Sequence, residues 1–325
     1  MKRFLLLLIS ALILLSGCSA APERYSATYA DVFDTVTQLT VYCSSQKEFN
    51  EFSEAAHSEL LLLHEIFDIY NTYDGLINAK SLNDSAGEAV EVSSWLIDVI
   101  ESAIEWYSLS GGRLNAAMGS VLSFWHDCRE NEILPDTDEL SERAKHCNID
   151  NVVIDGNVVT LADPEMSLDF GAFAKGYAAE MTARLLESMG AENFVLSVGG
   201  NVVTRGEKPE GKWEIGVENP DGGLVAVVKV SDKAIVTSGD YQRYFEVDGV
   251  RYHHIIDPET LYPADIWRSV TIICDRSDVA DALSTALFCM PLDEGRALIK
   301  EYGAEALWVD KSGAVTRSEG FSDYE

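Results

Sequence analysis

Four short stretches hold side chains whose types and spacing could do chemistry. In DFGAFAKGYA, 169–178, an acid, a glycine and small residues run directly into a helical pattern. A helix start offers backbone N–H groups without intrahelical partners, and Lys175 adds positive charge, a combination that suits a phosphate-bearing ligand. An acidic N-cap on an ordinary helix reads the same way. In VLSVGGN, Gly199 and Gly200 follow a strand and let a ligand or another backbone come close, although a plain turn needs them equally. Asp281 and Thr285, at i and i+4, share a helix face beside Ala280, Leu283 and Leu287. Two hard oxygens on one face suit Mg²⁺, which takes few protein ligands plus water and phosphate oxygens; an exposed polar face accounts for them as well. The fourth stretch, RYHHIIDPETLYPAD, holds two of the six histidines. On a strand, His253 and His254 point to opposite sides, with Ile256 on the side of His254 and Asp257 on that of His253. One histidine is therefore expected to be structural or solvated, and the other free to act near neutral pH.

The elements that must position these groups mix strands and helices. DVFDTVTQLTVYC alternates apolar and polar positions as a half-buried strand does, and QKEFNEFSEAAHSELLLLHEIFDIY reads as a long helix after it. SSWLIDVIESAIEWYSLSGG gives a second helix, with serine at its start and Gly-Gly at its end. Asp-Gly sits between β-rich runs in NVVIDGNVVTL and YFEVDGVRYHHII, the pattern of tight hairpins. In AFAKGYAAEMTARLLESMG, Phe173, Tyr177, Met181 and Leu185 recur every four residues and Gly190 ends the helix. SDVADALSTALFCM and LDEGRALIKEYG form a last helical pair before a strand, EALWVD. Hairpins with helices between them predict an α+β fold rather than a regular βαβ winding.

Met1-Lys2-Arg3, an apolar run over residues 4–15 and Leu15-Ser16-Gly17-Cys18 have the order of a lipoprotein signal peptide, residues 1–17, with Cys18 as the lipidated residue. The run is short for a membrane span, and an ordinary cleaved secretory peptide is the alternative. Residues 18–29 are expected to be a lipidated polar tether, and residues 30–325, with no repeat or low-complexity linker, one domain. The formal charge of −30 becomes −32 once Lys2 and Arg3 leave with the peptide, which argues against nucleic acid and against anionic lipid bound through a basic face. An anionic ligand would likewise need a cation beside it. Cys43, Cys128, Cys147, Cys274 and Cys289 are odd in number, without C-x-x-C spacing, and read as buried small apolar residues.

FDTVTQLTVY, FDIYNTYD, DFGAFAKGYAAE, LSVGGNV, TSGDYQRYFEVDGVRYHHIIDPET and ADALSTALF, in this order, resemble the ApbE family of FAD:protein FMN transferases from Asp31 to the end of the chain. The resemblance implies a single T-fold-like α+β domain with antiparallel hairpins and packed helices. It implies a Mg²⁺-dependent reaction in which FAD is split at its pyrophosphate, FMN passes to a Thr or Ser hydroxyl of an acceptor protein, and AMP departs. Acceptors would be extracytoplasmic proteins with a short Thr-containing flavinylation motif, which suits an enzyme anchored by lipid to the outer side of a bacterial cell membrane.

By the same resemblance, the Ala172 carbonyl, Asp281 and Thr285 would hold the metal. Phe33, Tyr73, Asn115, Ala116, Asp169, Lys175, Gly199, Gly200 and Ile256 would meet FAD, although GGRLNAAMG departs from the commoner G-x-F-D-x-T around Asn115 and Ala116. His254 corresponds to the histidine needed for transfer, and His254 or Asp257 would orient the acceptor hydroxyl. Leu261 stands where the family usually has glycine, which permits a different turn there. Two rivals keep part of this picture: an FAD pyrophosphatase using water as acceptor, and a flavin-binding lipoprotein without chemistry.

Overall fold

A computed structural model describes residues 21–325; the leader and Cys18 lie outside them. Eight strands form one antiparallel sheet in the order Glu23–Val32, Thr35–Cys43, Phe194–Val198, Asn201–Arg205, Ala234–Gly239, Trp267–Cys274, Glu305–Asp310 and Val315–Arg317. Side-chain alternation buries both faces of its middle. Val236, Ile272 and Trp308 join the core under the helices, whereas Ile235, Ile273, Leu307 and Val309 join a second cluster with Trp213, Val228 and Phe321. The fold is thus α+β in a single domain, as expected, and the five cysteines among the described residues are free, four buried and Cys147 half-buried.

Three helices cover the first face. Gln46–Phe67 starts where the Ser45 side chain accepts Glu48 N–H at 3.2 Å, and it buries Phe49, Phe52, Ala56, Leu60, Leu63, Ile66 and Phe67 at three- and four-residue spacing. Each fully buried leucine of that stripe contributes about 2 kcal/mol. Ala174–Ser188 lies against it and against Ser277–Phe288. The four-residue stripe read from the sequence is only half of its buried face. Met181 and Leu185 are partly exposed, while Gly176, Ala179, Ala183 and Leu186 are buried, because small residues let neighbouring helices come close.

Two boundaries differ from expectation. Strand Glu23–Val32 occupies most of the expected tether, so the domain begins at Glu23 rather than residue 30. Tyr25, Ala27 and Tyr29 turn toward the core while Arg24, Ser26 and Thr28 stay exposed, a period-two pattern hidden in a polar stretch. DVFDTVTQLTVYC is likewise two strands. Phe33 and Asp34, at φ +54° and +49°, make a tight hairpin turn between Val32 and Thr35 without the usual Asn-Gly or Asp-Gly. The expected hairpins hold, Val152–Asp155 with Val158–Leu161 and Tyr244–Val247 with Val250–His253.

Candidate active site

One cleft of about 720 Å³ opens at the end of the helical layer, in the size range of small-molecule and cofactor sites. Ala172, Lys175, Asp281, Thr285, His254, Asp169, Gly199 and Phe33 all line it, although they span more than 250 residues of sequence.

Asp281 is held from below. Its Oδ2 accepts the Gly176 backbone N–H at 2.8 Å, its residue is 4% exposed, and it makes no ion pair among the described residues. Asn201 stands beside it and favours its charged form, yet Asn201 Nδ2 is buried without a hydrogen-bond partner of good geometry. Burial pushes the Asp281 carboxyl upward from its ordinary pKa. A buried carboxylate with one hydrogen bond of good geometry and no ion pair is costly, and a bound cation would relieve it. Thr285, one turn further along the same helix, has its Oγ1 3.2 Å from Ser238 Oγ, which also lies 2.9 Å from Ser284 Oγ. The donor set of one carboxylate, one hydroxyl and the Ala172 carbonyl on a shared cleft fits Mg²⁺.

The helix carrying Asp281 has no side-chain cap of its own. Glu180, 2% exposed on the neighbouring helix, accepts Ser277 N–H at 3.1 Å through Oε2. Its Oε1 lies 3.0 Å from Arg184 Nε and 3.5 Å from Arg205 Nη2. A carboxylate at a helix start is favoured by the helix dipole, so this network fixes the helix that presents Asp281 and Thr285.

The start of helix Ala174–Ser188 forms the next wall. Asp169 Oδ1 accepts Gly171 N–H at 2.7 Å, and Lys175 Nζ donates to the Gly171 carbonyl at 3.4 Å. Burial raises the Asp169 carboxyl despite Lys175 and Arg243 nearby. Ala116 does not line the cleft; its carbonyl accepts Asp169 N–H at 2.8 Å and so places the segment. Asn115 does line it, but its side chain is committed to the Cys147 carbonyl and Ala117 N–H.

The two histidines divide as the strand pattern predicts. His253 is buried, with Nδ1 accepting Ile255 N–H at 3.2 Å, Nε2 donating to the Ala264 carbonyl at 2.9 Å, and its ring edge-on to Phe288. Both nitrogens are used, so it is structural. His254 opens onto the cleft. Crowding by the cleft walls, then Lys175 and Arg243, lower its pKa to about 3, leaving a neutral imidazole at physiological pH.

Besides Ala116, three expected site residues lie elsewhere. Tyr73 does not line the cleft; its hydroxyl donates to Asp68 Oδ2 at 2.7 Å, whereas the nearby Tyr70 does line it, 5.3 Å from the His126 ring. Asp257 does not line the cleft either; its Oδ1 accepts Glu259 N–H at 2.8 Å and lies 3.8 Å from Arg113 Nη1, which does. Gly200, at φ +94°, completes the hairpin turn outside the cleft, whereas Gly199 packs on Thr35, where a Cβ would come within 2.7 Å. Ile256 is buried at the cleft wall. Leu261 keeps the left-handed conformation a glycine would take, φ +62°, and Trp125 Nε1 donates to its carbonyl at 2.8 Å.

Residues the spacing did not reveal complete the walls. Arg113, Arg129 and Arg243 bring positive charge into the cleft of a chain of charge −30. His64 accepts the Phe33 N–H at 3.2 Å and meets its ring edge-on at 5.4 Å. The left-handed backbone of Phe33 costs about 1–2 kcal/mol, which a hydrogen bond of about 1 kcal/mol and an aromatic contact of about 1 kcal/mol offset. A scattered arginine or a strained turn carries no sequence spacing by which to find it.

The arrangement defines a class: an α+β domain in which one cleft joins a metal-type donor set, a helix start and a neutral histidine. Residues 33–308 match the ApbE family, and the chain belongs to that family. It is 35% identical over 291 residues to an FAD:protein FMN transferase of Treponema pallidum, covering 80% of each chain. It is 30% identical over 328 residues to one of Vibrio cholerae, covering 98% of this chain and 96% of the relative. Among solved structures, the ApbE protein of Thermotoga maritima superimposes with a TM-score of 0.84 at 34% identity, covering 93% of this chain and 99% of that one. The flavin transferase ApbE from Vibrio cholerae gives 0.81 at 26% identity over 94% and 100%.

Proposed function

We propose that this chain transfers FMN from FAD to a Thr or Ser hydroxyl of an acceptor protein, with release of AMP. The observation that carries this reading is the meeting, in one cleft, of the buried unpaired Asp281 with Thr285 and the Ala172 carbonyl on one side and neutral His254 on the other. The reading is also supported by the names of the relatives.

Asp281, Thr285 and the Ala172 carbonyl would hold Mg²⁺, which when bound would neutralise charge on the linked phosphates. Lys175 and the free amides at its helix start bind and orient those phosphates. Asp169, Gly199, Phe33 and Ile256 bound the space for the rest of the substrate. The acceptor oxygen forms a bond to the phosphorus of the FMN half while the bond from that phosphorus to the bridging oxygen breaks, and AMP leaves with the bridging oxygen. The hydroxyl proton goes to His254, which is neutral and able to take it.

The order of charge, apolar run and Cys18 supports an extracytoplasmic enzyme anchored to the cell membrane by lipid, with Thr-bearing extracytoplasmic proteins as acceptors. Incubation with FAD, Mg²⁺ and such an acceptor should leave flavin covalently bound to it after denaturation. Free FMN with an unmodified acceptor would point to the pyrophosphatase, and unchanged FAD to a binding protein.

A further inference from the structure

The hairpin Tyr244–Val247 and Val250–His253 pairs Tyr244 with His253. The next positions outward, Arg243 and His254, therefore flank its open end, and both line the cleft. Arg243 differs from the other two arginines there. Arg113 reaches Glu259 at 3.0 Å, and Arg129 lies 2.7 Å from His126 Nδ1 and 3.9 Å from Glu130. Arg243 has no carboxylate within 4.0 Å among the described residues, in a chain with 54 acids. Its backbone is also left-handed, φ +47°, a conformation unfavourable for a residue with a Cβ and one that gathers at functional sites. Its charge acts on both His254 and Asp169, in keeping with its place beside His254 at the open end of the hairpin.

We infer that Arg243 binds the transferred phosphoryl group beside His254. This rests on the reading of the chain as an FMN transferase. As the acceptor oxygen adds and its proton passes to His254, charge on the phosphoryl oxygens is met by the guanidinium. The planar fork can give two hydrogen bonds to phosphate, which a lysine cannot. Beside the acceptor base, the same cation keeps the imidazole unprotonated, so that it is available as the proton acceptor. The other charged groups facing His254 are Lys175 and, more weakly, His253.

The test is steady-state FMN transfer by the wild type, Arg243→Lys, Arg243→Ala and Arg243→Gly, with FAD affinity measured separately by flavin fluorescence in the presence of Mg²⁺. Wild-type transfer must be seen first; its absence removes the function, not this assignment. Arg243→Ala should lower kcat by about 10²-fold, the scale for losing one donor to a developing oxyanion, with a smaller loss of FAD affinity. Arg243→Lys should recover part of that loss. The acid limb of the pH–rate profile should move up in Arg243→Ala, because the imidazole loses a neighbouring cation. Arg243→Gly separates chemistry from folding, since glycine relieves the backbone: it should melt no lower than wild type and still be slow. Wild-type kcat in Arg243→Ala, or full activity in Arg243→Gly, would overturn the assignment.

Discussion

The Asp281 carboxylate takes its one backbone hydrogen bond from Gly176, 2.8 Å away, and a Cβ added at Gly176 would lie 2.4 Å from Asp281 Cβ and 2.6 Å from the Ser277 carbonyl. The helix that begins the site and the helix that carries its acid thus touch at a point with room only for hydrogen. Gly176→Ala should cost about 1–3 kcal/mol, the usual cost of overpacking. It should lower the melting temperature by several degrees, about 2–4 °C per kcal/mol. It should also weaken Mg²⁺ binding, measured by titration calorimetry. A variant that melts and binds like wild type would mean that the two helices shift apart freely.

Asp281→Ala removes the only carboxylate proposed for the metal and should abolish Mg²⁺-dependent turnover. FAD binding should become weaker but stay measurable, since Lys175 and the helix-start amides remain. Equilibrium dialysis with FAD, with and without Mg²⁺, checks both halves; unchanged turnover would refute the metal assignment.

The histidine pair separates stability from rate. His254→Ala should lower the transfer rate at least roughly 10²-fold and leave the melting temperature close to wild type, because the ring opens onto the cleft. His253→Ala should do the reverse. It strips the partner from Ile255 N–H and the Ala264 carbonyl in a buried place and should cost about 1–3 kcal/mol in a urea melt. A stability loss in His254→Ala larger than in His253→Ala would invert the assignment.

Acid should act through the same pair. Burial lowers the His253 pKa, and His254 is lowered to about 3 from an ordinary 6.5. Below about pH 6.5 the unfolded chain binds protons at these positions that the folded chain refuses. Their contribution is therefore present above that pH and fades as pH falls toward the folded values. Urea midpoints should drop on acidification through this window, less so in His253→Ala. The acid limb of kcat/KM should lie well below pH 6.5; a limb at the value of free imidazole would show that His254 is not the group that titrates.

Glu180 should matter for stability beyond a surface acid. Glu180→Ala leaves Arg205, which is nearly buried, with Glu187 alone and frees Ser277 N–H, for a loss of about 3 kcal/mol by thermal melting. Glu180→Gln can still accept from Ser277 and should lose less.

Much of the architecture is written in local pattern. Asp248-Gly249 turns its hairpin as Asp-Gly does, the other hairpin turns one residue later at Gly156-Asn157, and the Gln46–Phe67 helix follows its apolar spacing. The turn at Phe33 and Asp34 is not, because it is imposed by contacts with His64, thirty-one residues away, rather than by turn-forming residues. The same contrast holds in the site. Asp281 and Thr285 are visible as an i, i+4 pair, and the histidines as a strand dyad. Tyr73 and Asp257 sit in matching segments, but neighbours capture them: Asp68 holds the tyrosine hydroxyl, and Arg113 with Glu259 N–H holds the aspartate. Spacing says which side chains share a face; only the packing says which of them are left free.

The most direct measurement counts two products in one reaction. With FAD, Mg²⁺ and a Thr-bearing acceptor, AMP released and flavin covalently bound to the acceptor should rise together in equal amounts, and both should stop when the acceptor is exhausted. AMP that accumulates without acceptor, or far beyond the bound flavin, would contradict transfer and make water the partner of this cleft.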